Sequence, residues 1–137
     1  MDIGSLLQDP YQVLVEEIHK DLARKGHADI RPAHASVFRF IGKNGARITA
    51  MARKAHMTKQ SMSYLVYYLE ERGYVEQGKD SNDKRAIIFK LTKKGRKVSE
   101  SADKTMAQVQ RRWEKQMGKK EYRRMCKALE ELHKAVA

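Results

Sequence analysis

Residues Thr58–Thr92 read TKQSMSYLVYYLEERGYVEQGKDSNDKRAIIFKLT, and the period of the apolar residues changes once along them. Up to Arg72, Met62, Leu65, Val66 and Leu69 stand at i, i+3, i+4 and i+7, the spacing of a helix with one buried stripe. Gly73 supplies the stop. Tyr74–Gln77 and Ala86–Leu91 then read as two strands, joined by a polar loop over Gly78–Lys84. A polar-faced helix followed by a charged hairpin is the order a winged helix-turn-helix needs. The helix fits a DNA major groove, and the hairpin reaches the adjacent backbone or minor groove.

Upstream, Ile48–Ala55 reads as a short helix with Met51 and Ala52 inward, and His56-Met57 as the tight turn into the next helix. Arg31-Pro32 opens an earlier helix carrying Val37, Phe38 and Ile41, broken at Gly42, Asn44 and Gly45. The first helix is expected to start at Asp9-Pro10, with Asp9 as N-cap and Gln12 closing a capping box, and its stripe is Tyr11, Leu14, Ile18 and Leu22.

Downstream, Thr92 is the expected cap of a long helix with Val98, Ala102, Met106, Val109 and Trp113 in line. A last helix after Gly118 aligns Tyr122, Met125, Leu129, Leu132 and Val136. These near-heptad stripes admit two coverings: a partner's helices in a dimer, or an intramolecular hairpin packed on the first helix.

The 137 residues suffice for one domain with its own core. The formal net charge of +12 suits a polyanionic partner. Residues 1–30 hold 3 Lys/Arg and 6 Asp/Glu, which leaves 26 and 11 for the rest, so the basic excess lies in the middle and end of the chain. A lone cysteine, Cys126, forms no intramolecular disulfide, and no secretory leader or run of about 18 apolar residues is present. A reducing cytoplasm is the expected compartment, with no membrane partner.

Chemistry narrows the candidates further. Gln60 can pair two-handedly with adenine, Lys59 can reach guanine or a phosphate, and the positive end of the helix dipole favours a phosphate beside Thr58. Lys79, Lys84 and Arg85 put positive charge around the hairpin loop, where Asp83 can pair with Arg85. Against this stands the ordinary reading of a helix cap and a solvated hairpin tip, in which an exposed Asp-Arg pair contributes about 0–1 kcal/mol.

The run Ile48–Val98 resembles the MarR family of winged-helix regulators. TKQSMSYLVYYLEERGYVE is similar to the family's recognition helix and first wing strand, DKR to its Asp-x-Arg wing motif, and LTKKGRKV to the entry of its fifth helix. The resemblance implies a mainly α chain with a small β-wing, one domain over 1–137. It divides into a DNA-binding winged helix-turn-helix at 31–91 and dimerisation helices at 1–30 and 92–137. It further implies a homodimer on a palindromic double-stranded operator, most simply a repressor that occludes a promoter, tuned by a small-molecule effector.

Carried over by position, Thr58, Gln60, Ser61, Ser63 and Tyr64 face bases and nearby phosphates, Asn82, Lys84 and Arg85 serve the wing, and Asp83 orients Arg85. Leu14, Ile18, Val109, Trp113, Tyr122, Met125, Leu129 and Leu132 fall at the implied dimer interface. His34 and Phe38 fall on the helix that lines the family's effector cleft. The chain departs from the family where Tyr64 replaces a common arginine and Tyr67 a common acid, so the base preference of better-known members does not transfer.

Other chemistries find little purchase. No two of His19, His27, His34, His56 and His133 are four residues apart, so no metal site or cofactor is expected. Cys126 reads as a small apolar residue beside Met125. No nucleophile, phosphate-loop or metal-hydrolase motif appears, so the chain is not expected to be an enzyme. Two rivals to the regulator are a winged-helix module that binds protein or RNA, and a sequence-blind architectural DNA binder.

Overall fold

The computed structural model describes all 137 residues. Six helices and one hairpin follow in the order α1 (Ile3–Arg24), α2 (Ala35–Phe40), α3 (Ile48–Lys54), α4 (Lys59–Glu71), β1 (Val75–Lys79), β2 (Ile87–Leu91), α5 (Lys93–Met117) and α6 (Lys119–Val136), with a single 3-10 turn at Pro32–His34 before α2. This is a winged helix-turn-helix: mainly α, with a two-stranded antiparallel wing.

The amphipathic stripe of α4 places Met62, Leu65, Val66 and Leu69 in the core. There they meet Met51 and Ala52 of α3, Val37 and Ile41 at α2, Leu22 of α1 and Val98 of α5. α5 closes against α1, so the long helix joins the winged helix to the N-terminal helix. Each junction is stopped as the sequence dictates. Thr58 Oγ1 accepts the Ser61 N–H at 3.1 Å and Thr92 Oγ1 accepts the Gly95 N–H at 3.1 Å, so both threonines satisfy a free donor at a helix start. Gly73, at φ +82°, ends α4. Gly95 has a different reason to be glycine: a Cβ there would collide with the carbonyl of Tyr74, so its absence lets α5 approach the start of the wing.

The first helix starts earlier than the sequence suggests. Asp2, not Asp9, is the N-cap, accepting the Ser5 N–H at 3.0 Å. Pro10 is interior, and Gln12 donates to Glu16 at 3.2 Å instead of closing a capping box. Pro10 has no N–H for the Leu6 carbonyl, and because both residues are exposed that carbonyl is open to solvent and the missing bond is tolerated. The extra two turns carry Ile3, Leu6 and Leu7 into solvent.

Two residues expected at a subunit interface or cleft are buried within the protomer. Val109 is closed inside the protomer at 1% exposure, because the α5 stripe is covered by the chain's own packing at that level. His34 is also buried, stacked on Tyr68 at 4.5 Å between centroids. Its Nδ1 accepts the Arg31 N–H at 2.8 Å, and burial, with Arg72 nearby, holds its pKa below the usual histidine range.

Behind His34 lies a polar knot that fixes the loop between α1 and α2. The Tyr74 hydroxyl donates to Asp29 Oδ1 at 2.7 Å and lies 2.9 Å from His27 Nδ1, while the Tyr68 hydroxyl donates to the Asp29 carbonyl at 2.6 Å. Arg72 completes it, 3.8 Å from Asp29 and 3.6 Å above the Tyr68 ring. Burial and the bond to Asp29 push the Tyr74 pKa well up.

Candidate nucleic-acid interface

The outer ridge of α4 follows from helix geometry. With Met62, Leu65, Val66 and Leu69 inward, residues about 180° away are Gln60, Tyr64, Tyr67 and Glu71, at steps of four, three and four. Gln60 is exposed, and Tyr64 and Tyr67 are 75% and 48% exposed. Two large aromatic rings on one helix face form an exposed surface beside the amide of Gln60. Lys59 flanks it at the N-terminal end, and Ser63 is half-buried at its edge.

Thr58 and Ser61 have a second duty. The Thr58 hydroxyl donates to Ser61 Oγ at 2.9 Å while accepting the Ser61 N–H, so both hydroxyls are engaged in capping the helix. Tyr67 is held from the other side, with its ring edge-on to Phe89 of β2 at 5.6 Å and 88°. Helix ridge and wing therefore share an aromatic contact.

The wing is braced by residues that sequence reasoning does not single out. Asp80, just beyond β1, accepts the Asn82 N–H at 2.9 Å on one oxygen and Arg47 on the other, with Nε at 2.9 Å and Nη2 at 2.8 Å. The Asn82 backbone bond, then the Arg47 contact, hold its carboxyl below the usual carboxylate range. Arg47 directly precedes α3, so the hairpin tip is tied to the base of the helix-turn-helix. Just before Arg47, Ala46 and Phe89 exchange two backbone hydrogen bonds of 2.9 Å, which adds a third edge to the wing. No motif links positions 33 residues apart, so the fold alone brings Arg47 to Asp80.

At the tip, Asp83 accepts the Arg85 N–H at 3.0 Å, and Arg85 Nε lies 3.4 Å from the same oxygen. The short bond is to backbone, so Asp83 shapes the turn more than it holds the guanidinium. The Arg85 side chain is 94% exposed, and Asn82 and Lys84 are exposed beside it. Lys79 is the last residue of β1, opposite Ile87, and not part of the loop. Ridge and wing tip together present an amide, two phenols and exposed cations, a set that can meet base edges and phosphates.

Two concavities border this surface. An open groove of about 860 Å³ runs along the N-terminal flank of α4, where Gln60, Ser61 and Tyr64 face Arg39, Lys54 and His56. A more enclosed cavity of about 340 Å³ lies among α1, α2 and α5, lined by Leu14, Ile18, Phe38 and Met106 with His19, Arg39 and Asp103 as polar groups. Phe38 lines it, and His34 does not. His19 Nδ1 is 3.1 Å from the Ile30 carbonyl.

The apolar positions at the far ends of the molecule are unevenly covered. Trp113, Tyr122 and Met125 are half-buried, whereas Leu129 and Leu132 are each 42% exposed and no residue of α6 is fully buried. No three His, Cys, Asp or Glu side chains converge on a common point, and no helix is long and apolar enough to cross a membrane.

Residues 28–86, which contain α2, the helix-turn-helix, β1 and the wing tip, match the family model described as the MarR family. Over these residues the chain is similar to that family's winged helix. A curated relative, the exopolysaccharide II synthesis transcriptional activator ExpG of Rhizobium meliloti, is 27% identical over 81 residues, 59% of this chain. The match spans 42% of that relative's length. Among solved structures, CouR from Rhodococcus jostii RHA1 bound to p-coumaroyl-CoA superimposes with a TM-score of 0.71 at 23% identity, covering 96% of this chain and 91% of that one. A mutant of MepR from S. aureus, bound to an oligodeoxyribonucleotide, superimposes with a TM-score of 0.64 at 16% identity, covering 100% and 99%. The fold shared with these structures thus extends through the flanking helices as well as the winged helix.

Proposed function

We propose that the chain is a sequence-specific regulator of transcription that binds double-stranded DNA as a homodimer on a two-fold operator. The observation that carries this reading is the braced pairing of ridge and wing. The exposed Gln60-Tyr64-Tyr67 ridge is held to the hairpin through Tyr67 and Phe89, while Arg47 and Asp80 fix the hairpin to the helix-turn-helix. The MepR complex with an oligodeoxyribonucleotide is a precedent for the same fold on DNA.

A second copy would cover the apolar surface that one chain leaves open, with Ile3, Leu6 and Leu7 of α1 and Leu129 and Leu132 of α6 as its centre. Two-fold symmetry places two recognition helices on successive major grooves, about 34–36 Å apart. Repression needs only that this dimer occlude a promoter. The relative named as an activator makes the placement of the operator the deciding variable.

The cavity among α1, α2 and α5 suits a small effector. At about 340 Å³ it lies at the small end of ligand sites, with apolar walls and Arg39 as its cation. A compact aromatic acid fits that chemistry, and the CouR complex offers a precedent in a p-coumaroyl thioester. Such a ligand would act by favouring one spacing of the two winged helices over another.

Selection of bound duplexes from a random library tests the reading. An enriched inverted repeat with half-sites about one helical turn apart is expected. Leu129→Asp with Leu132→Asp should convert a dimer to a monomer by light scattering and abolish high-affinity binding. Equal binding to every duplex would overturn the proposal in favour of a sequence-blind binder.

A further inference from the structure

We infer that the α4 ridge reads thymine 5-methyl groups, so that the operator base pairs under it are A·T and not G·C. The inference rests on the DNA-binding reading above and adds what that site selects.

The ridge has three reading residues. Gln60, Tyr64 and Tyr67 lie in line at i, i+4 and i+7 and span roughly 10 Å along the helix. That covers about three base-pair steps of 3.4 Å. Beyond them stands Glu71, with its side chain 81% exposed, a carboxylate that phosphates repel and that closes the ridge.

No cation stands in that line. The commonest specific contact to guanine is a bidentate Arg or Lys, and this ridge does not supply one. Lys59 is about 100° round the helix from Gln60. Arg72 is occupied by Asp29 and the Tyr68 ring. What the ridge supplies is an amide matched to adenine and two ring faces matched to the thymine methyl.

The rings are positioned for this use. Tyr64 and Tyr67 form no hydrogen bond within the chain, so neither phenol is needed by the fold. Tyr67 is pre-oriented by its edge contact with Phe89, which reduces the side-chain freedom to be lost on binding. In the major groove a thymine methyl projects towards a helix in this position, and burying it against a ring removes apolar surface from water.

The test uses the full-length protein and the duplex it enriches from a random library. Replacing thymine by uracil at single positions removes the methyl and leaves the base-pairing edge unchanged. At the positions under α4, each replacement should weaken wild-type binding about fourfold, the equivalent of one apolar carbon group returned to water. Tyr64→Ala should bind the thymine and uracil duplexes equally at one such position, Tyr67→Ala at a neighbouring one, and Tyr64→Phe should keep the wild-type preference. A T·A to C·G change should cost affinity, and 5-methylcytosine in place of that cytosine should restore part of it.

Uracil duplexes that bind as tightly as thymine duplexes would overturn the inference, as would alanine variants that lose affinity but keep the preference. Either result leaves an enriched sequence in hand. Failure of the DNA-binding reading itself would instead appear as no enrichment at all. Tyr64 is 75% exposed, so its variants should melt as the wild type does, whereas Tyr67→Ala also gives up the edge contact with Phe89, and its thymine preference is read as the ratio of the two duplexes on that same variant.

Discussion

Two glycines in one turn provide a controlled test of how the wing is fixed. Gly42 and Gly45 both have left-handed backbone, at φ +71° and +86°. Alanine at either site costs about 1–2 kcal/mol in backbone strain. A Cβ at Gly42 meets nothing within 4 Å, so strain is its whole effect. A Cβ at Gly45 would stand 2.7 Å from the Phe89 carbonyl oxygen and 3.1 Å from Lys90 Cβ. That carbonyl accepts the Ala46 N–H, so relieving the clash disturbs both bonds of the Ala46–Phe89 bridge, each contributing about 0.5–1.5 kcal/mol. Gly45→Ala should therefore destabilise by about 1–3 kcal/mol more than Gly42→Ala. With an unfolding entropy of about 2.1 cal/mol/K per residue, the two melting temperatures should differ by roughly 3–10 °C. Circular dichroism melts at equal protomer concentration measure this, since dimerisation would make the midpoint concentration-dependent. Equal losses for the two variants would refute the close-approach argument, and with it the claim that the bridge anchors the wing.

His56, at φ +55° in the turn between α3 and α4, is the one non-glycine residue with a left-handed backbone. His56→Gly should raise stability by about 0.5–1 kcal/mol, visible as a higher denaturant midpoint, and a loss would mean that the imidazole has a partner of its own. Thr58→Ala should remove the α4 cap and cost about 1 kcal/mol, with Thr58→Ser restoring most of it in the same denaturation series. Tyr74 has a raised pKa in the folded chain, so its contribution is fully present below the unfolded value near pH 10 and is lost as pH rises through the folded value. A pH titration of stability should thus fall more steeply above pH 10 for the wild type than for Tyr74→Phe. For His34 the folded pKa is lowered, so its contribution is present above about pH 6.5 and is lost as pH falls. His34→Gln melts compared at pH 7.5 and 5 should show a smaller acid loss than the wild type.

The parts of the chain that could be read from sequence are those governed by local rules. The α4 stripe, the Thr58 and Thr92 caps and the Gly73 stop depend on residues within one or two turns of one another, and the structure places each as its spacing implies. Pro10 misleads because proline at a helix start and proline inside an exposed helix look alike until Asp2 is seen capping. Periodicity marks Val109 as apolar-facing without saying which helix covers it. His34 has the polarity a cleft would use, but its direction is set by Tyr68, which lies more than thirty residues away. The Arg47–Asp80 brace and the division of labour between the Ser61 cap and the Tyr67 ridge depend on side-chain orientation, which composition and spacing leave open.

Gln60 and Tyr64 form no hydrogen bond or ion pair within the chain, whereas the brace, bridge and polar knot around them are fully engaged. Substitutions at these two positions are therefore nearly free of folding consequences. On the proposed reading, the address a chain of this design recognises can be rewritten in a few codons, and descendants of one ancestor can acquire different targets while keeping the same scaffold.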